Sequence, residues 1–146
     1  MILFEKKYDK NNNEIYCKYA DGLECWQEYD KNNNLIHLKD SNNYESWRKY
    51  NKNNNLIYFK NTEGCEYWCK YDKNNNKINY KDNNNYESWW EYDKNNNIIN
   101  YKNTDGDEEW YKYKDNNKIK ITKKEFDHIN FKAEDKYSRF EILDIR

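Results

Sequence analysis

The chain has 146 residues, 36% of them charged, with 26 Lys plus Arg against 27 Asp plus Glu and a net charge of −1. That length fits one domain or one array, and the charge balance lacks the basic excess of a general nucleic-acid or anionic-membrane binder. Six Trp, 16 Tyr and an aromatic share of 18% exclude a disordered chain of this polarity, and no apolar run reaches the roughly 20 residues of a membrane span.

The N-terminal MILFEKKYDK carries charge by position 5 and has no small-residue cleavage site, so it does not read as a secretion signal. A cytoplasmic location, in a bacterium or a phage-infected cell, is the expectation. Abundant Asn, Lys, Ile and Tyr, with neither Pro nor Val, point to AT-rich codons and a low-GC genome.

A repeat begins at Tyr8. Tyr8, Tyr29, Tyr50, Tyr71, Tyr92 and Tyr113 recur every 21 residues, and Ile15, Ile36, Ile57, Ile78 and Ile99 follow the first five tyrosines. The sixth unit is a residue short, as terminal units often are, and residues 1–7 resemble the second half of a unit. The array therefore covers 1–121, and 122–146 stand outside it. Each unit holds two runs of alternating aromatic and aliphatic residues, which read as strands. One turn carries Gly22, Asn43, Gly64, Asn85 or Gly106 at its fourth position; the other carries Asn33, Asn54, Asn75 or Asn96. Gly and Asn most easily take the left-handed conformation that a three-residue hairpin loop demands. The pattern predicts an all-β fold: an antiparallel meander of tandem 21-residue hairpins forming a single elongated twisted sheet, with a short C-terminal cap.

A loop at Ser41–Asn43 sets Lys39 opposite Glu45. Keeping units equivalent across an odd period calls for an even loop at the other turn, Asp30–Asn33, and sets Glu24 opposite Lys39. One column then alternates in sign, Lys18, Glu24, Lys39, Glu45 and onward to Glu108, as cross-strand pairing favours. Beside it run Tyr16, Trp26, His37, Trp47, Tyr58, Trp68, Asn79, Trp89, Asn100 and Trp110, so the five Trp recur roughly every 10 Å along about 40 Å. The opposite face carries the Ile column and another that starts Cys17, Cys25, Leu38, Ser46; it is the more apolar and is expected to be the better covered.

The phrase YDKNNN at 8–13, 29–34, 71–76 and 92–97, with YNKNNN at 50–55, resembles the YD (Rhs-type) repeat. It is also similar to the MORN-repeat variants of some bacterial antitoxin-like proteins. Either resemblance implies an antiparallel meander of hairpins, spiralling into large shells in YD proteins and extending as narrow protein-binding sheets in MORN-type ones. This chain is too short for a shell, and it uses Asn where those families usually use Gly.

No metal or other cofactor is expected. Cys17 and Cys25 are cross-strand neighbours, a disulfide pair if oxidised, whereas Cys65 and Cys69 lie four strands away, about 19 Å. The glutamates sit among lysines as a structural line, and no P-loop or nucleophile elbow is present, so no enzyme is expected. His37, between Trp26 and Trp47 in the predicted column, reads as a stacking residue. The candidate binding residues are Trp26, Trp47, Trp68, Trp89, Trp110, His37 and Tyr58, rings that either merely shield a thin sheet or offer a contact surface.

In the last segment Thr122–Glu125 fits a helix capping box, and Phe126, Ile129, Ala133, Tyr137 and Phe140 recur near helical spacing. RFEILDIR at 139–146 fits a final strand equally well. The segment reads as a cap for the open end of the array, or else as a partner-specific or dimer-forming element. The function expected is a non-enzymatic protein-binding scaffold, in its most specific form a phage or bacterial inhibitor or immunity-type protein, with a second copy as another candidate partner. Carbohydrate binding by the Trp/Tyr column is one alternative, and single-stranded nucleic-acid binding, which the alternating glutamates oppose, is the other.

Overall fold

The computed structural model describes residues 3–130. Twelve strands follow one another in the order of the chain, paired antiparallel within each of two compact units: β1 (Leu3–Tyr8), β2 (Glu14–Tyr19), β3 (Glu24–Tyr29), β4 (Leu35–Asp40), β5 (Glu45–Tyr50), β6 (Leu56–Asn61), β7 (Glu66–Tyr71), β8 (Lys77–Asp82), β9 (Glu87–Tyr92), β10 (Ile98–Asn103), β11 (Glu108–Lys114) and β12 (Asn117–Ile121). A helix, α1, covers 123–130. The fold is therefore mainly β, as the repeat predicts. Two compact units divide the chain, one up to Glu87 and the other from Ser88 onward.

The turns obey the left-handed rule. Gly22, Asn43, Gly64, Asn85 and Gly106 have φ of +92°, +67°, +87°, +65° and +92°, and Asn33, Asn54, Asn75 and Asn96 lie between +61° and +67°. Within each turn an Asp or Asn supplies the fastening. Asp30 Oδ1 accepts the backbone N–H of Asn32 (2.8 Å) and Asn34 (3.0 Å), and Asp40 Oδ1 accepts those of Asn42 (2.8 Å) and Tyr44 (2.9 Å). These are Asx-turn bonds, which a short polar side chain makes to its own backbone.

Both turns of a unit are the same three-residue loop, and here the expected register is corrected. Asp30 N–H donates to Asn34 O at 2.9 Å, so the loop is 31–33 and not a four-residue Asp30–Asn33. Tyr29 pairs with Leu35, but Glu28 pairs with His37; the odd residue of the period is Ile36, a β-bulge. Ile15, Ile57, Ile78 and Ile99 stand at the same break. The 21-residue spacing of Ile thus marks a bulge in each unit, not a ladder column. The spacing of Tyr answers it: Tyr50, Tyr71 and Tyr113 donate their hydroxyls to the carbonyls of Leu35, Leu56 and Ile98, the residues just before a bulge, at 3.1, 3.1 and 3.2 Å. A carbonyl that the irregular ladder would leave open is satisfied by the ring of a neighbouring strand.

Units are stitched together at both ends of their strands. Along one line of turns the Nδ2 groups of Asn13, Asn34 and Asn55 donate to Oδ1 of Asn33, Asn54 and Asn75 in the next unit, each at 2.9 Å. Along the other, Ser41 and Thr62 accept the N–H of Glu24 and Glu45 on their hydroxyls at 3.0 Å and return their own N–H to the carbonyls of the same glutamates at 2.9 Å. The abundance of Asn therefore has a structural cause beyond turn conformation.

Few described residues are buried. On the face opposite the tryptophans these are Cys17, Ser46, Asn61, Cys69 and Ser88, small side chains that lie beneath larger neighbours; on the Trp face they are Asn79, Asn100 and Ile121. In the first unit the covering rings include Phe59, stacked on Tyr67 at 5.1 Å, and Tyr80, 5.4 Å from Tyr67. Cohesion rests on backbone ladders and cross-strand ring pairs instead of a thick core.

The last hairpin turns on two residues, Asp115 and Asn116, both with positive φ, the type I′ geometry that matches strand twist. Beyond it the predicted capping box is formed: Thr122 Oγ1 accepts Glu125 N–H at 3.3 Å, and Glu125 Oε2 accepts Thr122 N–H at 2.8 Å. Phe126 and Ile129 lie on α1; Ala133, Tyr137, Phe140 and the strand alternative at 139–146 fall outside the described residues.

Candidate aromatic binding face

The corrected register slips each long hairpin by two residues relative to the expected pairing. A slip of two preserves the faces and shears the columns. Glu24 still pairs with Lys18, 2.6 Å from its Nζ, but Lys39 faces Trp26 and not Glu24. The predicted alternating charge line is broken. What replaces it is a short row across adjacent strands, seen three times in the first unit: Lys7–Tyr16–Trp26–Lys39–Glu45, then Glu28–His37–Trp47–Lys60–Glu66, then Lys49–Tyr58–Trp68–Lys81. His37 accordingly lies between Glu28 and Trp47, not between Trp26 and Trp47.

Trp26, Trp47 and Trp68 are each the third residue of β3, β5 and β7, and the register sets each one two residues further in the strand direction than the last. With strands about 4.8 Å apart and a rise of about 3.4 Å, successive Trp positions are about 12 Å apart on a diagonal. These indoles are 41%, 37% and 40% exposed, unusual for so large an apolar group. Each packs against the residue opposite: Tyr16–Trp26 at 5.9 Å, His37–Trp47 at 5.6 Å, Tyr58–Trp68 at 5.7 Å.

The glutamate two residues before Trp47 and the one two residues before Trp68 hold that opposite residue. Tyr58 donates its hydroxyl to Glu66 Oε1 at 2.8 Å, and His37 Nε2 lies 2.7 Å from Glu45 Oε1. The glutamates therefore position the ring partners of the tryptophans, a role the charge alternation concealed. Accepting from Tyr58, Glu66 raises the pKa of that phenol; burial, followed by the charge of Glu24, raises that of Tyr16.

In the second unit the tryptophans are more covered. Lys102 Nζ lies 5.4 Å from the Trp89 ring centre and Lys123 of α1 lies 5.8 Å from that of Trp110, which also pairs with Ile121. Lys60 is the equivalent of Lys102 opposite Trp47, and it reaches instead to Glu66 at 3.7 Å. Of the candidate residues, then, the structure brings Trp26, Trp47, Trp68, His37 and Tyr58 onto one diagonal patch, with Trp89 and Trp110 in the other unit.

Cys17 and Cys25 are direct cross-strand partners, as expected, and all four thiols are free. Burial, helped by the Cys17 sulfur, pushes the Cys25 thiol up to about 11. The Cys25 thiol is therefore not poised as a nucleophile at neutral pH.

No protein-family model matches the chain, and no curated protein matches it. Solved structures do. A mutant Tc holotoxin pore of Photorhabdus luminescens and a TcdB2–TccC3–TEV crystal structure each superpose with a TM-score of 0.66 at 12% identity, over 83% of this chain. A TcdB2–TccC3–Cdc42 crystal structure does so over 82%. The chain spans only 8% of the length of each of those chains. What is shared is the fold: an antiparallel β-meander consistent with a YD-type repeat, and a repeat scaffold by architecture.

Proposed function

We propose that the protein is a non-enzymatic scaffold that holds a protein partner on the Trp26–Trp47–Trp68 face, and that it acts as an inhibitor or immunity-type protein in a bacterial or phage-infected cytoplasm. The observation that carries the reading is the exposure of three equivalent indoles, each fixed by a cross-strand ring and a carboxylate. Rigid aromatic anchors of this kind lose little entropy on association and dominate binding energy at interfaces. The inhibitor role draws on the resemblance to antitoxin-like repeats. The crystal structure of TcdB2–TccC3–Cdc42, one of the solved neighbours, is compatible with protein partners.

The test is affinity capture from a low-GC bacterial lysate with wild-type protein and with Trp47→Ala and Trp68→Ala, each confirmed folded by circular dichroism. A partner retained by wild type and lost by both variants is the expected result. Equal capture by all three overturns the role of the indoles, and a glycan-array signal without any captured protein would transfer the face to carbohydrate.

A further inference from the structure

The three rows of the aromatic face are not equal. In the first and third, the residue beyond the tyrosine is a lysine lying over its ring: Lys7 Nζ is 4.9 Å from the centre of Tyr16, and Lys49 Nζ is 5.3 Å from that of Tyr58. In the middle row both members change together, Lys to Glu28 and Tyr to His37, and the contact changes in kind: Glu28 Oε1 lies 3.2 Å from His37 Nδ1. The second ring nitrogen, Nε2, faces Glu45 Oε1 at 2.7 Å. Two carboxylates accept and cannot donate when ionised, so both ring nitrogens must carry a proton to satisfy both contacts. That species is imidazolium. The adjoining indole responds: Trp47 lies nearly parallel to His37, at 15°, whereas Trp26 and Trp68 are tilted by 51° and 47° to their tyrosines.

We propose that His37 is a proton-operated latch at the centre of the aromatic face, tying β3 to β5 across β4 and setting the plane of Trp47 only while it is doubly protonated. The proposal rests on the reading of this face as the binding surface. Loss of one proton leaves a single N–H. The shorter contact is to Glu45, whose side chain is 30% exposed, while that of Glu28 is 68% exposed. The proton therefore leaves Nδ1 for solvent, the bare lone pair repels the Glu28 carboxylate, and Glu28 swings into water. Indole and imidazole then keep only a neutral stacking contact, and the parallel arrangement loses its cause.

The other charged groups on this face do not replace Glu28. Lys39 is exposed two residues away on His37's own strand and opposite Trp26; Lys49, on β5, is engaged over Tyr58. Burial by itself lowers the His37 pKa, but the bonds to Glu28 and Glu45 raise it further, so the latch is closed in acid and opens above the ordinary imidazole range.

The test is an NMR titration of the full chain, which contains two histidines, His37 and His128, assigned with His128→Gln. Uniform 5-fluorotryptophan labelling, with Trp47→Phe to assign its resonance, follows the indole by 19F shift. Expected are a His37 midpoint above the ordinary histidine value of roughly 6.5, a Trp47 shift with the same midpoint, and a lowered midpoint in Glu28→Gln. The double variant Glu28→Lys with His37→Tyr rebuilds the Lys–Tyr row and should fold while losing the pH-dependent Trp47 shift entirely. A His37 midpoint at or below the ordinary histidine value of roughly 6.5, or a Trp47 step that survives the double variant, overturns the latch. None of these readouts needs the partner, so failure of partner capture and failure of the latch are separate results.

Discussion

At the scale of single residues, the left-handed positions show how little freedom the chain leaves. Gly64, at φ +87°, has open space around the position of a missing Cβ, so a substitution there is limited by backbone strain alone. Gly64→Ala should lower stability by about 1 kcal/mol in denaturant titration, while Gly64→Asn should be close to neutral, since Asn43 and Asn85 hold the same place in other units. His37 supplies a pH dependence of definite sign. Its folded pKa is raised, so its stabilising contribution is complete below the unfolded value of roughly 6.5 and is lost as pH rises through the folded value. Melting temperatures of wild type and His37→Gln should differ most near pH 5.5 and converge at pH 8.5. The left-handed positions were legible because Gly and Asn tolerate the conformation most easily. The Asn-to-Asn bonds between units were not, since the acceptor lies 20 residues away and nothing local announces it.

Among the elements, the turn and the bulge compete to absorb the same odd residue, and the strand pattern alone does not choose between them. An even loop and a bulge at Ile36 both keep the faces, which is why the Trp face was predicted correctly while its stagger was not. A signal was present: Asp30 and Asp40 open both turns of the unit, and one residue type in one position suits one loop type. The bulge assignment predicts that deletion of Ile36 closes a regular ladder around the 31–33 loop and leaves every other pair on its face, so that variant should still fold, whereas deletion of Leu38, which shifts parity, should depress the melting temperature far more. The turn carboxylates predict acid sensitivity. Side-chain and backbone bonds from Asn34 hold Asp30 below the usual carboxylate range, so its contribution is present above the unfolded value and is lost as pH falls through the folded one. Asp30→Asn should fold, because Asn51 makes the same bonds to Asn53 and Asn55 at 2.9 and 3.1 Å, and should flatten the loss of stability in acid melts.

For the molecule as a whole, each unit interacts through strand ladders and end-stitches with its immediate neighbours, so stability should behave as a sum of units and interfaces. Deleting 51–71 joins Tyr50 to Asp72 and rebuilds the YDKNNN turn; the shortened chain should keep its β circular dichroism and melt cooperatively. Deleting 51–70, one residue fewer, should not, since the remaining strands meet out of register. The repeat architecture was readable because the period recurs without drift through five units. The exposed patch was readable only in part: its composition follows from strand alternation, but the difference between the units depends on where lysine side chains settle, which spacing does not encode.

The two-residue slip has a consequence for whatever rests on this surface. A shear of one residue per strand sets the row of indoles about 35° away from the perpendicular to the strands. A rod laid squarely across the ribbons would touch one indole and miss the next by about 7 Å. A straight helix or extended segment that engages Trp26, Trp47 and Trp68 together must lie slantwise, so the angle of approach is selected before any side chain is recognised.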